Sequence, residues 1–281
     1  MTKREIDVAV ISDIHLGTYG CHAKELVHYL KSISPQLLIL NGDVIDGWQF
    51  SKSYFPAAHM QVIKEILDLL SQGTRVVYIT GNHDEILRRY SDLSLGNFQL
   101  ADKLVIEMNG KKTWIFHGDV FDATTKGGAK IIAKLGGVGY DWLILANRFI
   151  NWMLAGLGQP KMSLSKKVKN GVKKAVRWIA DFELTAAELA IEKGYDYVIC
   201  GHIHQPQQKV IGTEKGNVTY LNSGDWIENL TALEYINQEW KIYHYTEEEF
   251  ELAPVISIQK QLPTLNVLTD EVGLHIHQIP F

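Results

Sequence analysis

Five times along this chain a short apolar run breaks off into a polar cluster of Gly, Asp, Asn and His. IDVAVI precedes Asp13-Ile14-His15, LLIL precedes Gly42-Asp43, RVVYIT precedes Gly81-Asn82-His83-Asp84, KTWIF precedes His117-Gly118-Asp119, and DYVIC precedes Gly201-His202-Ile203-His204. Apolar runs of four to six residues without alternation read as buried strands. Residues 22–33 and 60–70 lie between the first three and carry helical patterns. Strand, polar loop and helix thus repeat, which predicts an α/β core with parallel elements. Polar clusters at strand ends let a rigid sheet hold groups from distant segments in one place.

Further strands are expected at 104–108, 112–116 and 196–200, and short ones at 209–213, 218–222, 232–236 and 240–245. The last four are expected to form a second antiparallel edge or sheet. Residues 123–193 differ in character: three glycines (Gly136, Gly137, Gly139), the apolar DWLILANRFINWMLAGLG, a basic run and the helical FELTAAELAIEK. They read as helices inserted into a catalytic domain formed by 1–122 and 194–254, with 255–281 as a C-terminal extension.

Composition narrows the class. Hydrophobic residues make up 46% and charged residues 21% of 281 residues, an ordinary globular balance. The formal charge of -4 argues against a general nucleic-acid footprint. Cys21 and Cys200 form no disulfide framework, and Cys200 reads as a small buried residue at a strand end. No run of eighteen apolar residues predicts a membrane span. MTKREIDVAVISDIHLG lacks the features of a secretory signal, so a cytoplasmic protein is expected. Nothing in the sequence specifies an oligomeric state.

The strand-end residues carry the chemistry. Residues two apart on an extended strand share a side, so Asp13 and His15 are placed to converge, as are His202 and His204 if the backbone stays extended. Carboxylate, imidazole and amide oxygen form a borderline donor set that suits manganese, iron or zinc, with manganese taken first. A bridging carboxylate can hold two cations about 3.5 to 4 Å apart, close enough to clamp a phosphate and activate a water. Asp43 is assigned that bridge. Asp13, His15 and His204 are assigned to one ion, and Asn82, His117 and His202 to the other. Asp46, Asp84 and Asp119 read either as residues that orient histidines or as turn formers.

The blocks DIH at 13–15, GDVID at 42–46, GNHD at 81–84, HGD at 117–119 and GHIH at 201–204 closely resemble, in order, those of the calcineurin-like metallophosphoesterase superfamily. The resemblance implies a four-layer α/β/β/α sandwich and a dinuclear site on the seven ligands just assigned. It also implies that His83 faces the substrate and stabilises charge or protonates the leaving oxygen.

Within the superfamily, the inserted helices with DIHLG and GHIHQP resemble the UDP-2,3-diacylglucosamine diphosphatase family. That family cleaves the pyrophosphate bond of a nucleotide-linked lipid to UMP and a lipid monophosphate at the cytoplasmic membrane face. The insert would then bind the lipid substrate, with Lys166, Lys169, Lys173 and Arg177 as candidate substrate contacts, or lie on an anionic membrane. Plain packing of a helical cap with a solvated basic face is the alternative. Two departures stand out: GNHD where the best-known branch has GNRD, and Asp13-Ile14-His15 where it has Asp-Leu-His. They keep two other readings open, a phosphomonoesterase or phosphodiesterase of another lipid or nucleotide, and a noncatalytic membrane-associated scaffold. LNSGDW at 221–226 reads as a turn at the site rim or an ordinary loop. His275 and His277 read as surface or packing residues.

Overall fold

The computed structural model describes residues 3–48, 54–121 and 164–247, with 164–175 described as backbone only. Among the described residues twelve strands form two sheets. Sheet I holds β1 (Arg4–Ile11), β2 (Ile33–Asn41), β3 (Arg75–Ile79), β4 (Ser94–Leu95), β5 (Phe98–Ala101), β11 (Thr231–Ile236) and β12 (Glu239–His244), in the order β12-β11-β1-β2-β3-β5-β4. Sheet II holds β6 (Lys103–Met108), β7 (Lys111–Phe116), β8 (Tyr197–Cys200), β9 (Gln207–Thr213) and β10 (Gly216–Asn222), in the order β6-β7-β8-β10-β9. Helices α1 (Ala23–Ser32) and α2 (Ala57–Ser71) cover sheet I, and α3 (Leu164–Glu192) covers sheet II. The result is the expected α/β/β/α sandwich.

The apolar runs lack alternation because both faces of their strands are buried. In β1, Ala9 and Ile11 point to the helices while Val8 and Val10 point to the other sheet. In β2 and β3, Leu38, Leu40, Val76 and Tyr78 face the helices, whereas Ile39, Val77 and Ile79 fill the space between the sheets. On α2, Val62, Ile66 and Leu69 recur at three and four residues and form the buried stripe, and α1 buries Leu26, Val27 and Leu30. Cys200 is buried at the end of β8, against α3.

The last four strands do not form a sheet of their own. β9 and β10 belong to sheet II, where β10 runs parallel to β8, while β11 pairs with β1 and carries β12 on its other side. The physical reason lies in β11. Ala232 faces the helical layer, and Leu233 and Tyr235 face the other sheet. A strand buried on both faces needs a place inside the sandwich.

The basic run and FELTAAELAIEK form one continuous helix, α3. Its C-terminal half packs Phe182, Ala186, Ala187 and Ala190 on Phe116, Val198, Cys200, Val218 and Tyr220 as the fourth layer. Residues 122–163, with the apolar Trp142, Phe149, Trp152 and Met153, lie outside the described residues. So do 248–281, with His275 and His277. Among the described residues no helix is long and apolar enough to cross a membrane.

Candidate metal centre

β1, β2 and β3 are mutually parallel, as are β7, β8 and β10, so their C-terminal ends gather the polar clusters on one rim. The first two loops are tied together by their backbones: Asp13 N donates to Gly42 O at 3.1 Å, and His15 N to Asp43 O at 2.9 Å. Beyond the strands, Asp13, His15, Asp43, His202 and His204 all adopt left-handed backbone conformations, with φ of 51°, 53°, 52°, 68° and 53°. The expected convergence through an extended backbone is therefore replaced by a tighter device. Each left-handed residue turns its side chain off the strand path and into the rim, at a cost of about 1–2 kcal/mol for a residue with a Cβ. His202 and His204 consequently part, His202 grouping with Asp43 and His117, and His204 with Asp13 and His15.

Three overlapping clusters result: Asp13, His15 and His204; His15, Asp43 and His83; and Asp43, His117 and His202. Within each, the donor atoms lie within 4.8 Å of one another. Asp43 occupies the middle. Its Oδ2 is 3.2 Å from His117 Nε2 and 3.9 Å from both His15 Nε2 and His83 Nε2, while its Oδ1 accepts from His83 N at 2.8 Å. Asp13 divides its oxygens in the same way. Oδ2 accepts from His202 N at 3.0 Å, and Oδ1 stands 3.2 Å from His204 Nε2.

The decisive observation is what these atoms lack. Asp13 Oδ1, His15 Nε2, Asn82 Oδ1, His83 Nδ1 and His117 Nε2 are buried, yet none has a hydrogen bond of proper geometry. Five orphaned polar atoms at one rim would be costly in a protein that had nothing to place among them. Nitrogen and carboxylate donors in this number fit divalent cations. The neighbours hold the unused faces. His117 Nδ1 is 2.8 Å from Asn41 O and His15 Nδ1 is 3.1 Å from Asp46 Oδ2, which leaves Nε2 of each aimed inward.

Carboxylates and imidazoles in the cluster each shift the other toward its charged form. Burial disfavours the imidazolium of His204, but Asp13 outweighs it and lifts the group to about 9. His117 follows the same logic, with Asp43 overcoming burial to raise it well above its ordinary value. Burial pushes Asp13 and Asp43 upward, yet the histidines hold both carboxyls below the usual range. A divalent cation and these protons compete for the same nitrogens.

The remaining expected residues divide by contact. Asp46 orients two histidines: its Oδ2 meets His15, and its Oδ1 lies 3.0 Å from His83 Nδ1. Burial depresses the His83 imidazolium, but Asp46 and Asp43 raise it on balance. Asp84 instead accepts from Val44 N at 2.9 Å, Gly81 N at 2.6 Å and the Tyr78 hydroxyl at 2.6 Å, so it buttresses the two loops. Asp119 pairs with Arg88. Arg177 is exposed on α3, and the side chains of Lys166, Lys169 and Lys173 lie outside the described residues.

Sequence reasoning left one support open, as a rim turn or an ordinary loop, and missed another. LNSGDW braces the site: Asn222 Nδ2 donates to Gly201 O at 2.8 Å, Ser223 Oγ meets Ser12 Oγ at 2.7 Å, and Trp226 N donates to Asp13 O at 3.1 Å. Its small polar residues after a strand were the available signal. Trp48 lays its ring 4.2 Å from that of His83 and is 58% exposed. A lone loop aromatic gives no such signal.

A family model for the calcineurin-like phosphoesterases matches residues 6–206. The chain belongs to that family. Among calcineurin-like phosphoesterases, it is 26% identical over 250 residues to the UDP-2,3-diacylglucosamine hydrolase of Aliivibrio fischeri, covering 86% of this chain and 99% of that one. It is likewise 26% identical over 238 residues to the enzyme of that name from Vibrio cholerae, covering 81% and 94%. A solved structure of Yfce, a phosphoesterase from E. coli, aligns with a TM-score of 0.41 at 12% identity, over 85% of this chain and 99% of that one. The rim of histidines and aspartates is thus the candidate dinuclear centre of a metal-dependent phosphoesterase.

Proposed function

We propose that this protein hydrolyses the pyrophosphate bond of a nucleotide-linked lipid of the UDP-2,3-diacylglucosamine class, releasing UMP and a lipid monophosphate. The observation that carries the phosphoesterase chemistry is the set of orphaned, buried donor atoms converging around Asp43. The nucleotide-lipid substrate is supported by the names of the Aliivibrio fischeri and Vibrio cholerae relatives, which match along most of both chains.

In this reading Asp13, His15 and His204 hold one divalent cation, Asn82, His117 and His202 hold the other, and Asp43 serves both. Bound cations supply Lewis acidity to the phosphate oxygens and acidify a water. His83 sits beside this set with Nδ1 against Asp46, an arrangement that favours a proton on the ring and lets Nε2 donate to the departing oxygen. Asp46 fixes both His15 and His83, so cation binding and proton donation share one support. Substrate selection falls to the insert and the basic first half of α3, through Lys166, Lys169, Lys173 and Arg177. The same surface would seat the protein at an anionic membrane face. Residues 1–122 and 194–254, together with the packed half of α3, then form the catalytic body.

His83 favours a second reading. A titratable imidazole stands where the best-known diphosphatase branch has arginine, which suits a phosphomonoesterase or phosphodiesterase of another lipid or nucleotide. Manganese-loaded protein, UDP-2,3-diacylglucosamine and product-resolved mass spectrometry separate the two. UMP and lipid monophosphate, lost on chelation and reduced about 100-fold or more in His83→Ala, are expected. Intact lipid with brisk turnover of small phosphate esters would reject the lipid substrate and keep the phosphoesterase. Stoichiometric metal without turnover of any ester would favour the noncatalytic scaffold.

A further inference from the structure

Arg88 stands on the 3-10 helix Glu85–Tyr90, which directly follows the Gly81–Asp84 loop of sheet I. Its guanidinium crosses to sheet II, where Nη2 donates to Asp119 Oδ2 at 2.9 Å. On its own side Nε donates to Thr80 Oγ1 at 3.3 Å and lies 3.5 Å from Asp102 Oδ1. Asp102 Oδ1 is fixed in turn by Thr80 Oγ1 at 2.8 Å and Ser91 Oγ at 2.7 Å. The Asp119 side chain is 11% exposed and that of Arg88 36%, so the pair is only partly open to water.

The anchors matter because of what adjoins them. Thr80 lies two residues before Asn82, and Asp119 two residues after His117. Asn82 and His117 come from different sheets, yet the proposed function gives them the same cation. No hydrogen bond among the described residues joins their two side chains directly. The planar fork of Arg88 does span the two loops, in a geometry that lysine cannot reproduce.

We propose that Arg88 is a positioning residue that sets the separation of the Asn82 and His117 loops and so tunes one of the two cation sites. The inference rests on the two-cation reading. An ordinary surface ion pair would leave cation binding untouched. The test is calorimetric titration of manganese into metal-stripped full-length protein, for the wild type, Arg88→Lys, Arg88→Met and Asp119→Asn, with thermal unfolding of each metal-free protein alongside. One site should weaken about 10- to 100-fold in Arg88→Met and Asp119→Asn, less in Arg88→Lys, while the other site is unchanged. Should Arg88→Met fail to fold, Arg88→Lys and Asp119→Asn carry the comparison. Unchanged affinity at both sites in variants that fold would overturn the proposal. So would equal weakening of both sites with a lower unfolding temperature, since that reports general loosening. A wild type that takes up fewer than two ions is a separate result and sinks the two-cation reading itself.

Discussion

Gly81 shows how closely the rim is assembled. A Cβ added there would stand 2.2 Å from Asp43 Oδ1 and 2.6 Å from Asp43 N, and the nitrogen belongs to a backbone already bonded to the first loop. Gly81→Ala must therefore displace the shared carboxylate. A loss of about 1–3 kcal/mol in stability is expected from overpacking, with a disproportionate drop in manganese affinity. Denaturant melts and metal titration of the same preparation check this; unaltered metal binding would show that Asp43 is not the hub. At this scale the sequence was informative because residue type carries the signal: carboxylates and histidines at the ends of buried strands have few other uses. The left-handed backbones of Asp13, His15, Asp43, His202 and His204 were not legible, since Asp and His visit that region more often than most residues yet only rarely, and neighbouring residues give no further signal. Nor was the task of Asp84, whose carboxylate serves amides and a tyrosine from neighbouring strands.

Among the elements, strands with two buried faces were read well, because apolar runs such as those of β1 and β3 leave no polar side to misplace. β11 and β12 were harder. Which sheet a strand joins is decided by partners far away in sequence, here β1, and periodicity is silent on that point. α3 shows how one element serves both fold and site. Phe182 is fully buried on its inner face, 5.4 Å from the Phe121 ring and against Gly118, where a Cβ would come within 2.7 Å of it. Gly118 follows His117, has φ +124°, and lets the loop lie flat on the helix. Phe182→Ala should cost about 3–5 kcal/mol. Equilibrium unfolding measures it, and a cost below about 1 kcal/mol would mean that the loop does not lean on α3.

For the whole molecule, the candidate centre is a joint. Asp13, His15, Asp43 and Asn82 come from loops of sheet I, and His117, His202 and His204 from loops of sheet II. Cations held between them would link the two halves of the sandwich at one end, and only the folded chain presents all the donors. At a hundredfold excess over the dissociation constant, a single site of this kind stabilises the folded state by about 2.7 kcal/mol. Stripping manganese should accordingly lower the unfolding temperature by roughly 5–10 °C for a chain of this size, and adding it back should restore the value. Scanning calorimetry with and without chelator reads the difference directly. Identical melting in both would remove the joint. The layered architecture was visible from the alternation of strand and helix, whereas the meeting of the two sheets at a shared rim is a property of topology that no single segment carries.

Five residues of the rim with side chains sit where glycine would rest without steric cost, and that sets stability and chemistry against each other at the same positions. A descendant released from catalysis would gain stability by relaxing there. Abandoning function would be thermodynamically downhill for this fold, and the active sequence persists only for as long as its chemistry is in use.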